Sequence, residues 1–143
     1  MSIRYNVALS TALPINRVAE KIESFLGRII LLDGQMELYE TGGSNLLVSV
    51  FFPDQYSCSD IWEQFKVRED ITISVETRPG SGRDGAICFV RFLNFLIEAV
   101  VMEGGMYVDF GGDHEVLLKR GEEVLVNRRF VEVDQFPCRI LSC

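Results

Sequence analysis

The chain has 143 residues, 48% of them hydrophobic and 24% charged, which suits one globular domain spanning residues 1–143 and excludes disordered and fibrous classes. Its net charge of −7 is uneven: residues 33–115 hold 15 acids against 5 bases, and the two ends together hold 6 acids against 9 bases. An acidic centre with no aromatic-interleaved basic patch disfavours nucleic acid, and is suited either to solubility or to steering a basic protein partner.

"IRYNVALS" (3–10) alternates as a strand does. Pro14 suits a first helical turn, and Ile15, Val18, Ala19, Ile22, Phe25 and Leu26 follow at helical spacing up to a stop at Gly27. "IILLDGQMELYET" (29–41) and "NLLVSVFF" (45–52) read as extended runs, with a hairpin-like turn in "TGGSN" and an end at Pro53. "SCSDIWEQF" (57–65) suggests one or two helical turns with Ile61, Trp62 and Phe65 inward. "ITISVET" (71–77) is the clearest strand, with Ile71, Ile73 and Val75 on one face and Thr72, Ser74 and Glu76 on the other.

After "RPGSGRDG", in which Ser81 and Asp84 have capping-box spacing, comes "AICFVRFLNFLIEAVVM" (86–102). Its polar residues Arg91, Asn94 and Glu98 continue a narrow stripe from Asp84, which marks a central helix of a soluble domain and not a membrane span. Gly104–Gly105 closes it. Strand material follows in "MYVDF", "EVLLK", "EVLVN" and "RFVEV", with Gly121 serving a tight hairpin. The expected fold is α+β: two layers, a mostly antiparallel sheet of about seven strands covered on one face by two helices, with one further short helical piece.

No residue pattern here predicts chemistry. "DFG" at 109–111 lacks every other kinase element, and "GSGRDG" does not open a βαβ unit. Cys58, Cys88, Cys138 and Cys143 form no CxxC pair, so neither zinc nor another cofactor is expected, and Cys88 reads as a small buried hydrophobe. Asp109, Asp113, His114 and Glu115 are suitable ligands for a divalent ion and leave a small metal-dependent enzyme as one alternative. On an alternating strand interrupted by Gly111–Gly112, however, Asp109 turns outward while His114 and Glu115 diverge, so a solvent-facing turn is the expectation. The start of the chain is too interrupted for a signal-peptide core, and a reducing cytoplasm is the expected compartment.

The order of elements, with Val108, Phe110, Gly112, Asp113, Leu117, Leu118, Lys119, Arg120, Leu125 and Asn127 in a terminal hairpin pattern, resembles the Sit-type immunity proteins of bacterial polymorphic-toxin and kin-discrimination systems. Where such proteins more often carry a single acid at the turn, this chain has His114–Glu115. The resemblance implies a non-catalytic protein that binds a cognate toxin. The acidic centre suits a basic toxin, with exposed acids beside turns as candidate contacts: Asp33, Glu37, Glu40, Asp109, Asp113 and Glu115. A small acidic adaptor domain with a different protein partner fits the same charge.

Overall fold

The computed structural model describes residues 3–32, 35–40, 46–78, 80, 82–111, 114–127 and 140–142. The elements run β1 (Ile3–Leu9), α1 (Ile15–Leu26), β2 (Gly27–Leu32), β3 (Gln35–Glu40), β4 (Leu46–Phe51), α2 (Gln55–Phe65), β5 (Ile71–Thr77), α3 (Gly82–Phe95), a π-helical turn (Leu96–Val101), β6 (Met106–Phe110), β7 (His114–Arg120), β8 (Glu123–Val126) and β9 (Ile140–Ser142). The strands form one sheet in the order β2-β3-β4-β5-β1-β6-β7-β8-β9, antiparallel throughout except where β9 joins β8 in parallel. The fold is α+β, as expected.

Nine strands replace the expected seven or so. The run 29–41 contributes to two strands, β2 and β3, which pair antiparallel with Leu32 opposite Gln35. The extended segment expected at 129–133 and the turn at 41–45 lie outside the described residues, as does Ser81.

Strand alternation builds the core. Tyr5, Val7 and Leu9 of β1, Val48 and Val50 of β4, Ile71, Ile73 and Val75 of β5, and Met106 and Val108 of β6 are buried on one face. Against this face α1 turns Val18, Ala19, Ile22 and Leu26, and α3 turns Phe89, Phe92 and Leu93. Aromatic rings join the two helices: Phe25 stacks on Phe95 at 4.6 Å and tilts against Phe92 at 6.1 Å. Cys88 is only half-buried, packed against the core from its margin.

The long helix widens into its π-helical turn before it stops. Met102, at φ 52°, donates its N–H to Ile97 O at 2.9 Å, two positions before the expected closure at Gly104–Gly105. Those glycines serve contact instead. A Cβ on Gly104 would lie 2.2 Å from the carbonyl oxygen of Ser10, beside the Ser10 N–H to Gly105 O bond of 2.8 Å. Lys119, expected on an ordinary alternating strand, is buried here, its Nζ donating to the carbonyls of Met102, Gly104 and Gly121 at 2.6–2.8 Å. Among the described residues, no helix is long and apolar enough to cross a membrane.

The polar face of the sheet and its covering helix as candidate functional site

The second face of the sheet is built from the residues that alternate with the core. Cross-strand pairing sets them in transverse rows. One row runs Glu37, Ser49, Ser74, Asn6, Asp109, Glu115 across β3, β4, β5, β1, β6 and β7. Among its described side chains, Asp109 and Glu115 are adjacent carboxylates and none is a base. Asn6 Nδ2 donates to Asp109 Oδ1 at 3.2 Å, which holds that carboxylate against the sheet. In the next row Arg4 and Glu76 are register partners joined by an ion pair.

The helix α2 lies across one end of this same face, opposite α1 and α3. Its local sequence specifies both ends: Asp54 accepts from Ser57 N–H at 2.7 Å as the N-cap, and Lys66, in the left-handed region, donates its N–H to Trp62 O at 3.0 Å. Phe65 stacks on Tyr107 at 3.9 Å. The buried Glu69 carboxylate accepts from the hydroxyls of Ser57 and Thr72, both at 2.7 Å, and so ties the helix to β5.

Two expectations for this segment are corrected. The helix has 11 residues, about three turns, in place of one or two. Trp62 does not face inward: it is 52% exposed, and Ile61 and Phe65 are only half-buried. The inward side is Ser57, Cys58, Ile61 and Phe65 at helical spacing, and Trp62, four residues after Cys58 and three before Phe65, sits at its margin with the ring half exposed.

The six candidate acids fall out as follows. Asp109 and Glu115 are register partners on the second face, the first half-buried and the second exposed. Glu37 occupies the same row, opposite Ser49. Glu40 stands apart, paired with Gly27 at the end of β3. Asp33 and Asp113 lie outside the described residues. His114 pairs with Phe110 and tilts against its ring at 6.2 Å, whereas Glu115 pairs with Asp109. The histidine therefore belongs to the other face. Among the described residues no three His, Cys, Asp or Glu side chains are grouped to hold a metal ion.

A shift of register between Val108 and Asp109 shapes this corner. Val116 has no partner in the ladder, and both it and Leu117 are buried. The bulge is what brings Glu115, not Val116, opposite Asp109. Sequence alternation alone does not show it.

The electrostatics follow the geometry. Burial, then the charges of Asp109 and Glu115, push the Tyr107 hydroxyl well above the usual phenol range, so it stays a neutral group beneath the acidic row. Burial, then the negative charges of Glu69, Asp54 and Asp70, push the Cys58 thiol up, which suppresses the thiolate a nucleophile requires. An open depression of about 410 Å³, lined by Ser10, Thr11, Arg68, Met102 and Glu103 among others, lies at the end of the long helix. Two of its polar groups are engaged already: Thr11 Oγ1 donates to Val100 O at 2.7 Å, and Arg68 pairs with Asp70 at 3.0 Å.

Sequence reasoning missed Asn6, Arg4 and Tyr107. Their signal was present in "IRYNVAL" and "MYVDF", where polar or amphipathic residues alternate with core positions. Which strands lie side by side, and hence which residues share a row, is not written in either segment. Comparison with family models, with curated proteins and with solved structures gives no match to this chain.

Proposed function

We propose that this chain is a non-catalytic immunity protein that binds a cognate bacterial toxin of basic character and neutralises it by covering the toxin's active surface. The observation that carries the reading is the row Ser49–Ser74–Asn6–Asp109–Glu115, which crosses β4, β5, β1, β6 and β7 and ends in two adjacent carboxylates with no base. Two bases on the same face have acids opposite them: Arg4 faces Glu76 and Arg120 faces Glu123. A partner bringing lysine or arginine to the row forms charge-assisted hydrogen bonds with its carboxylates.

The overall charge of −7 supports the same reading, because a negative field speeds encounter with a basic protein. The strand and hairpin pattern of the terminal third adds the resemblance to Sit-type immunity proteins.

Isothermal titration of this chain against the polypeptide encoded by the adjacent reading frame tests the proposal. Binding should weaken steadily as salt rises, since the screening length falls from about 10 Å at 0.1 M to about 3 Å at 1 M. It should weaken again in Asp109→Asn/Glu115→Gln. Affinity indifferent to both salt and this variant would reject the reading.

A further inference from the structure

We propose that the outward side of α2 is a second docking element for the same partner, one that takes an arginine-bearing segment; this inference rests on the acidic-face reading above. The helix buries no residue of its own, and its inward side is fully described by Ser57, Cys58, Ile61 and Phe65. That leaves unexplained three large aromatic side chains in a span of eleven residues: Phe52 is 70% exposed, Tyr56 87% and Trp62 52%. Packing does not account for them. Single exposed apolar residues are ordinary on a protein surface, but three on and beside one short helix are a feature of recognition surfaces.

The chemistry around them selects the occupant. Asp60 and Glu63 follow Tyr56 at four and seven residues along the helix, on the same outward line, and both are exposed. Trp62, four residues after Cys58 and three before Phe65, lies round the helix from that line, and Lys66 Nζ lies 5.4 Å from its ring centroid. The chain thus already places a cation over this ring, and it is an exposed lysine that a competing cation can displace. A guanidinium does two things here that an ammonium does not: it stacks its plane on an aromatic face, and it bonds a carboxylate with two parallel N–H donors. Tyr56 with Asp60 and Glu63 offers both. The partner segment is therefore arginine-bearing rather than merely basic.

Trp62 is the only tryptophan of the chain, so its emission reports on this surface directly. The full chain is titrated with two twelve-residue peptides of equal charge, one alternating arginine with leucine and one alternating lysine with leucine. The arginine peptide should change Trp62 emission saturably, and the lysine peptide should bind about fivefold more weakly, the size expected of an exposed stacking contact. Tyr56→Ala and Asp60→Asn/Glu63→Gln should each weaken the arginine peptide by a similar factor; circular dichroism checks that these exposed changes leave the fold intact. Asp109→Asn/Glu115→Gln should leave the emission response in place. An unchanged Trp62 signal, or equal response to the two peptides, overturns the inference. So does a response that survives Tyr56→Ala and vanishes in Asp109→Asn/Glu115→Gln, and that result leaves the acidic-face reading standing.

Discussion

Replacing Lys119 by methionine tests whether a buried cation closes the end of the long helix. The lysine is 3% exposed, and its Nζ donates to Met102 O at 2.6 Å, Gly104 O at 2.8 Å and Gly121 O at 2.7 Å. These carbonyls belong to the negative end of the helix and to the hairpin turn, so one ammonium joins two separate parts of the chain. Methionine keeps the length and the apolar stem but donates nothing. Each bond from a charged donor contributes about 1.5–3 kcal/mol, and relief from burying a charge offsets part of that. A net loss of about 3 kcal/mol is expected, a large share of a total stability of about 5–15 kcal/mol. For a chain of this size it lowers Tm by about 10 °C. Urea unfolding followed by far-ultraviolet circular dichroism reads the loss from the shift in midpoint at unchanged slope. A loss below about 1 kcal/mol would refute the reasoning.

Other outcomes follow from the same structure. Gly104→Ala forces a Cβ to 2.2 Å from a backbone oxygen, and should cost more than about 2 kcal/mol by the same urea assay. Phe65→Ala removes the ring stacked on Tyr107 at 3.9 Å; hydrogen exchange should accelerate across residues 55–65 while the core strands keep their protection. Tyr107 is raised from an ordinary value of 10.0, so its neutral form is the one the fold favours. The stability this contributes is complete below pH 10 and is lost as pH rises through the higher folded value; absorbance at alkaline pH should show its ionisation delayed until unfolding. Asp109→Asn/Glu115→Gln should change folding stability by less than about 1 kcal/mol, since Glu115 is exposed and surface charges contribute little.

Much of the fold is legible in short segments. The alternation in "ITISVET" assigns both faces of β5 correctly, and the spacing from Ile15 to Leu26 gives α1 with its end at Gly27. The elements that were misread are those in which local pattern is not the deciding force. Asp33–Gly34 sits inside an apolar run, so the reversal between β2 and β3 is hidden by hydrophobicity on both sides. Trp62 is apolar enough to predict burial, but α2 touches the sheet through a narrow line of Ser57, Cys58, Ile61 and Phe65, which leaves the ring half exposed. Nothing local to Lys119 reveals that the carbonyls of Met102 and Gly104, at the end of the long helix, converge on it together with that of Gly121. The candidate site divides in the same way. Asp109 and Glu115 are recognisable as outward acids beside a turn, whereas their pairing depends on a bulge, and their alignment with Asn6, Ser74 and Glu37 depends on strand order.

The central claim is that a protein partner covers the polar face of the sheet. Carboxyl labelling with a carbodiimide and an amine, read by mass spectrometry, measures this directly on the chain alone and with the polypeptide of the adjacent reading frame. Asp109, Glu115 and Glu76 should lose reactivity in the complex, while Glu20 and Glu23 of α1 and Glu98 of the π-helical turn, on the opposite side, keep theirs. Protection of those three with undiminished labelling of Asp109 and Glu115 would contradict the account.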